Sequence, residues 1–176
     1  MQSDSHPEAR GWRLRCIGQD DRVSRPAEPV MIAAAQPQHE AAWRALFVAY
    51  CAVGGVAAAD EAVDRVWSWI ADEHAQTSCL VASVAGVLVG FAHVRVFERP
   101  IVASTGLWID DLYVDPSSRG RGVARALIGA VRADAARGGH DVVRWTTRET
   151  NVGARRLYEQ VATRAPVVVY NAEPAR

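Results

Sequence analysis

The chain has 176 residues, a length that favours one domain with its own hydrophobic core. Lys plus Arg and Asp plus Glu stand at 20 each, so no net field draws it toward nucleic acid or an anionic membrane, and a small-molecule or peptide partner fits better. Cys16, Cys51 and Cys79 are odd in number and far apart, with no C-x-x-C spacing and no His-rich companion segment, which argues against a disulfide framework and a metal site.

The first residues, Met1 to Pro7, lack the basic start and apolar run of a signal peptide, and no apolar stretch is long enough to span a bilayer; the cytoplasm is the expected location. Residues 1–29 mix charge, Pro, Gly and Ser without a period and read as a flexible N-terminal arm on a domain of residues 30–176. Val30 to Ala35 predicts a strand, and the spacing of Ala42, Leu46, Ala49 and Tyr50 predicts a helix from Gln38 that ends before Gly54-Gly55. Asp60 is a plausible cap for a second helix with Val63, Val66, Trp67 and Ile70 on one face. Cys79 to Val84 and Val87 to Val94 flank Ala85-Gly86, the pattern of an antiparallel hairpin. Leu107 to Val114 predicts a strand that Asp115-Pro116 breaks. A helix carrying Val123, Leu127, Ile128 and Val131 follows and stops at Gly138-Gly139. Val142 to Thr146 predicts a strand, Asn151 opens a short helix with Ala154, Leu157, Tyr158 and Val161, and Val167 to Tyr170 predicts a closing strand. The order implies an α+β fold. An open final edge strand would allow a homodimer.

The loop Arg119-Gly120-Arg121-Gly122 joins a strand directly to a helix that starts with Val123 and Ala124. Such a junction presents unpaired backbone N–H groups where the helix dipole favours an anion. Gly120 and Gly122 permit close approach, and Arg119 and Arg121 add positive charge. The nucleotide-hydrolase P-loop needs a Lys followed by Ser or Thr, which is absent, and the dinucleotide fingerprint needs a third glycine where Arg125 stands. From the loop alone, a strand-to-helix turn that uses Gly only for its geometry stays open.

Val114 to Ala124 resembles the Q/R-x-x-G-x-G/A pyrophosphate-binding motif of the GNAT superfamily of N-acetyltransferases, with Arg119, Gly122 and Ala124 at its defining positions. Downstream, Asn151 to Glu159 resembles that family's N-x-x-A-x-x-L-Y-E segment. The resemblance covers roughly Val30 to Tyr170 and implies a mixed, mostly antiparallel central sheet flanked by helices. It also implies acetyl-CoA as cofactor, with its pyrophosphate on Arg119–Ala124 and its pantetheine arm on Asn151 and the exposed backbone of Leu112, Tyr113 and Val114. Tyr158 is then expected near the thioester sulfur. Seven residues separate Asn151 from Tyr158, which independently places them on one helix face. Taken singly, Asn151 reads first as a helix cap and Tyr158 as a packed aromatic.

An acceptor amine with a pKa near 10.4 costs roughly 4 to 5 kcal/mol to neutralise at pH 7. The candidate carboxylates are Asp110 and Asp111 on the strand that leads to the loop, expected on opposite faces because strand residues alternate. Ile109 to Val114 resembles the corresponding strand of polyamine acetyltransferases, where an acidic residue matching Asp110 is associated with the acceptor amine. Asp110 is therefore the expected catalytic carboxylate, with Asp111 in reserve, and Tyr158 the expected acid or hydrogen-bond donor to the departing thiolate. A strand-end carboxylate paired to a local Arg is the plain alternative. His39, His74, His93 and His140 read as surface or satisfied histidines, and most tryptophans as core, Trp108 being the best exception. The overall reading is an acetyltransferase acting on a primary amine of a small molecule or peptide, closest in pattern to the histone and polyamine branch; the competing class is a non-catalytic acyl-CoA-binding module.

Overall fold

The computed structural model describes residues 28–175, so the expected N-terminal arm lies almost wholly outside the described residues. Five strands form one sheet in the order β1-β2-β3-β4-β5: β1 Val30–Ala34, β2 Thr77–Val84, β3 Val87–Arg99, β4 Ser104–Val114 and β5 Val142–Trp145. All neighbours are antiparallel except β4 and β5, which run parallel. Four helices complete the fold: α1 Glu40–Gly54, α2 Asp60–Ala71, α3 Val123–Arg137 and α4 Val152–Val161. No helix among the described residues is long and apolar enough to cross a membrane.

Local chemistry explains most of these elements. Asp60 and Glu61 occupy the first turn of α2, where exposed N–H groups favour carboxylates. Ala85 and Gly86 both take positive φ, 51° and 79°, as a two-residue hairpin turn matched to strand twist requires. In α3 the buried residues Val123, Leu127, Ile128, Val131 and Ala135 form one stripe at helical spacing.

The pleat sends alternate side chains into two cores. On one face, Ala92, Val94, Leu107 and Ile109 pack against α3; on the other, Val81, Phe91 and Tyr113 pack against Trp43, Leu46 and Phe47 of α1 and Val63 and Trp67 of α2. Trp43 is fully buried and stacks on Phe47 with ring centroids 4.9 Å apart. Burying aromatics of this size dominates the energetics of that face. Gly90 is required for strand packing, because a Cβ there would stand 2.6 Å from the Tyr113 carbonyl oxygen of β4.

Two expectations fail. The β3–β4 hairpin is far longer than apolar patterning indicates, running out to Arg99 and back from Ser104, because Arg95, Glu98 and Arg99 sit on a ladder whose outer part faces solvent. The closing strand is absent: Val167 to Tyr170 are exposed and belong to no regular element. Their β-branched composition suits a strand, but a strand exists only beside a hydrogen-bonded neighbour, and β5 has β4 as its one partner. The edge-strand argument for a homodimer loses its strand with it.

Candidate active site

The parallel pairing of β4 with β5 runs only from Gly106–Val142 to Ile109–Trp145, while β4 continues to Val114. The flank of residues 110–114 on the β5 side therefore has no strand partner among the described residues. The Asp115 N–H donates to the Val89 carbonyl at 2.9 Å on the β3 side. By antiparallel alternation, the backbone groups of Leu112 and Val114 then point to the open flank. Leu112 and Val114 are half-buried against the α3 core, whereas the Tyr113 ring is buried on the α1 face.

At the end of that flank the chain turns through Asp115, whose carboxylate accepts from the Ser117 N–H at 2.9 Å. The hydrogen bonds from Ser117 hold its pKa below the usual carboxylate value. The loop then enters α3 with Gly120 and Gly122 at φ 75° and 82°, a left-handed conformation that L side chains rarely adopt. Nothing stands within 4 Å of where a Cβ would be at either glycine, so the space before them is open. The first bond into the turn of α3 is Ala126 N–H to Gly122 carbonyl, and Gly122 makes no side-chain cap. Among the described residues, no acceptor claims the N–H groups of residues 120–125. Arg119 Nε donates to the Val114 carbonyl at 3.2 Å, and Arg121 is exposed. Open space before the glycines, a row of N–H groups unclaimed among the described residues and two guanidinium groups fit a pyrophosphate.

Asn151 caps α4, its Oδ1 accepting from the Ala154 N–H at 3.4 Å while its Nδ2 donates to Thr147 Oγ1 at 3.2 Å. Tyr158 lies on the next part of the helix, half-buried, edge-on to Trp145 with centroids 5.4 Å apart. Its hydroxyl has no hydrogen-bond partner among the described residues, and no buried side-chain N or O there lacks one, so this hydroxyl reaches solvent. Burial pushes its pKa above the usual phenol value, which keeps it a proton donor at neutral pH.

The two aspartates do not straddle the sheet. Ile109 pairs with Val94 and Asp111 with His93, leaving Asp110 as the extra residue of a β-bulge. Strict alternation is lost there. Asp110 meets Arg95, with Nε to Oδ2 at 2.9 Å, and Asp111 meets His93 at 2.9 Å. His93 and Arg95 are two apart on β3 and share a face, so both carboxylates gather on the side that α1 covers. Asp110 is exposed and held in the local ion pair that was its plain alternative.

Asp111 sits in a built cradle. Tyr50 of α1 donates its hydroxyl to Oδ1 at 2.6 Å. Trp43 Nε1 donates to His93 Nε2 at 3.1 Å, and an indole N–H can only donate, so the other ring nitrogen of His93 carries the hydrogen that goes to Asp111 Oδ2. Burial alone would raise the Asp111 pKa, but the hydrogen bonds from His93 and Tyr50 outweigh it and leave the group below its usual value. Burial and then the Asp111 hydrogen bond push the Tyr50 hydroxyl up, with Tyr158 near enough to add to the effect. Tyr50 thus binds Asp111 directly and lies within electrostatic reach of Tyr158. Trp43, Tyr50 and His93 escape sequence reasoning as site residues because they converge from α1 and β3 with no linear spacing to betray them.

The acetyltransferase (GNAT) family model matches residues 38–162. A D-amino-acid N-acetyltransferase of Saccharomyces cerevisiae, HPA3, is 27% identical over 143 residues, covering 80% of this chain and 89% of the yeast protein. Among solved structures, the ribosomal-protein-alanine N-acetyltransferase of Brucella melitensis superposes with a TM-score of 0.69 at 23% identity, over 82% of this chain and 99% of that one. The aminoglycoside N-acetyltransferase AAC(6')-Iy, solved with CoA, gives 0.73 at 20% identity, over 84% and 97%. The fold, the phosphate-fitting loop and the extent of the family match agree, and the chain belongs to the GNAT family of acetyltransferases, enzymes whose acyl donor is acetyl-CoA.

Proposed function

We propose that this protein transfers an acetyl group directly from acetyl-CoA to a primary amine of a small molecule or peptide, without a covalent enzyme intermediate. One observation carries the reading: the open flank of β4, which also bears the fixed Asp111 carboxylate, runs straight into a row of loop N–H groups that no acceptor claims among the described residues. Acetyl-CoA supplies the activated acyl group. The N–H groups of Gly120, Arg121, Gly122, Val123 and Ala124, with the guanidinium groups of Arg119 and Arg121, hold its pyrophosphate. Leu112 and the Val114 N–H offer backbone groups to the pantetheine amides in the manner of an added strand, whereas Tyr113, expected beside them, turns its backbone toward β3 and packs its ring on the α1 face. Asn151 retains one amide hydrogen beyond its bond to Thr147.

Of the two carboxylates, we assign Asp111 rather than Asp110 to the acceptor amine. Asp111 is held anionic by two donors, whereas Asp110 is engaged with Arg95. A carboxylate of lowered pKa is a weak base, so Asp111 draws and orients the ammonium and the proton leaves to water. Tyr158 keeps its proton and donates to the departing sulfur. The yeast relative acts on D-amino acids, and Ile109 to Val114 resembles the polyamine branch; both support an amine acceptor.

A thiol-release assay with acetyl-CoA and a panel of amines tests this. Release above the water background with at least one amine is the expected result. Saturable CoA binding with no release for any amine would replace the enzyme with a non-catalytic acyl-CoA-binding module.

A further inference from the structure

His93 is only 2% exposed, packed between α1 and the sheet, and both of its ring nitrogens are engaged. Its ring lies among those of Trp43, Phe47 and Phe91, with the Phe91 centroid at 4.6 Å, and its ladder partners are Cys79 on β2 and Asp111 on β4. An apolar side chain would fill that space and demand no hydrogen bond at either end. The two partners of His93 are of unlike kind: an indole N–H can only donate, and an ionised carboxylate can only accept. Between Trp43 and Asp111 the imidazole fits as one tautomer, with Nε2 accepting and Nδ1 donating. The other tautomer would set N–H against N–H at Trp43 and a lone pair against the carboxylate.

Asp111 thereby receives a fixed donor at each oxygen, His93 Nδ1 at Oδ2 and the Tyr50 hydroxyl at Oδ1. The titratable and charged groups around it come from several elements: His93 and Arg95 from β3, Asp110 and Tyr113 from β4, Cys79 from β2, and Tyr50 and Cys51 from α1, with Tyr158 of α4 reaching Tyr50. The α2 helix meets this cluster with apolar Val63, Val66, Trp67 and Ile70. Burial and then the Asp111 charge push the Cys79 thiol up to about 12, and the same two causes raise that of Cys51, so both stay uncharged at neutral pH. Asp110 is offset by Arg95. Asp111 therefore carries the charge of the cluster, and its two donors hold that charge against burial, which alone favours the protonated form.

We propose that His93 is a positioning residue for the acceptor amine: fixed as its Nδ1–H tautomer by Trp43, it sets the direction of the Asp111 carboxylate and keeps it ionised for the incoming ammonium. It acts through Asp111 and touches neither substrate. The role rests on the acetyl-transfer reading and on the assignment of Asp111 above. A packing role alone would make no demand on the tautomer and would disturb stability, CoA binding and turnover together.

The test is initial-rate kinetics with acetyl-CoA and the most active amine of a thiol-release panel that includes D-phenylalanine and spermidine. His93→Phe keeps a ring among Trp43, Phe47 and Phe91 and removes the donor. It should raise KM for the amine by about tenfold to a hundredfold, the range of one hydrogen bond to a charged group, with kcat and the KM for acetyl-CoA little changed. His93→Asn carries an amide N–H close to the Nδ1 position and should recover most of the loss. Dividing each variant's kcat/KM by the wild-type value cancels the amine's own titration. Loss of the donor raises the Asp111 pKa, so this ratio should fall further as pH drops from about 8 to about 5.5 in His93→Phe and stay level in His93→Asn. Trp43→Phe keeps a ring on Phe47 and should give a smaller rise in amine KM. Because Trp43 is fully buried, long-range ¹⁵N spectra of histidine-labelled wild type at pH 8 read the tautomer without a variant at that position; Nδ1–H is expected for His93, the signal missing from His93→Asn. A thermal shift with CoA verifies that the cofactor seat of each variant is intact.

An Nε2–H tautomer at His93, an unchanged amine KM in His93→Phe, a His93→Asn variant as impaired as His93→Phe, or a ratio level across pH in both would each overturn the role of His93 and leave acetyl transfer standing. Asp111→Asn with the wild-type amine KM would overturn the Asp111 assignment and the His93 role with it. Turnover of no amine of the panel by the wild type would overturn the acetyl-transfer reading itself.

Discussion

Replacing Tyr50 by Phe isolates one bond of the Asp111 cradle. The ring contacts with Phe91 and Tyr113, both at 5.9 Å between centroids, survive the substitution, and only the 2.6 Å hydroxyl bond to Oδ1 is lost. The Asp111 side chain is 28% exposed, so water replaces the lost donor only in part. A hydrogen bond to a charged group contributes about 1.5 to 3 kcal/mol, and the residual solvent contact favours the lower part, about 2 kcal/mol. The pH dependence follows from the lowered pKa of Asp111. A carboxylate whose folded pKa lies below its unfolded value of about 3.9 contributes stability that is present above that value and lost as pH falls through the folded one. Tyr50→Phe should therefore cost about 2 kcal/mol in urea unfolding at pH 7, and less, about 1 kcal/mol, at a pH below the lowered folded pKa of Asp111, where the carboxyl is protonated and the bond is no longer charge-assisted. An equal loss at both pH values would show that Asp111 is not held as an anion. No loss at pH 7 would remove the Tyr50 bond from the structure altogether.

Tyr158→Phe should lower turnover well beyond any change in CoA affinity, because its hydroxyl has no partner among the described residues while its ring packs on Trp145; unchanged turnover in the thiol-release assay removes it from the chemistry. Gly90→Ala would force a Cβ against the Tyr113 carbonyl, backbone that cannot swing aside, and should cost about 2 kcal/mol or more in denaturant unfolding; a neutral variant would mean that β3 and β4 separate easily there. Gly122→Ala meets open space but keeps φ at 82°, so about 1 kcal/mol of strain is expected together with weaker CoA binding by calorimetry.

What could be read from the sequence was local. The loop at Arg119 to Ala124 declares itself because two residues with positive φ next to a helix start call for glycine, and Asn151 and Tyr158 share a helix whose period is printed in its own spelling. The strand pair at Ala85-Gly86 is legible for the same reason. Reading Val167 to Tyr170 as a strand failed because β-branched composition reports willingness to pair and says nothing about whether a neighbour runs alongside. The outer hairpin was missed in the opposite way: Arg95, Glu98 and Arg99 look like loop residues until the ladder with Ser104 to Leu107 is seen.

The aspartates show most sharply where linear reading stops. Alternation along β4 is a sound rule, and one extra residue in the ladder reverses its conclusion for every position beyond it. Nothing in Ile109-Asp110-Asp111-Leu112 marks that slip, because the bulge is set by how β3 and β4 pair across the hairpin. Its consequence is chemical. The slip brings Asp111 under Tyr50 and beside His93, on the face that also carries Trp108 and Arg144, while Leu112 and Val114 turn their backbone to the open flank on the far side of the strand from β3. A regular β4 would have sent Asp111 toward the α3 core, where a carboxylate has no partner, and left the α1 face with Asp110 alone. The bulge thus sets one charged side chain and one run of free backbone at the same point of the sheet, and a direct transfer needs its amine and its acyl donor to meet at such a point.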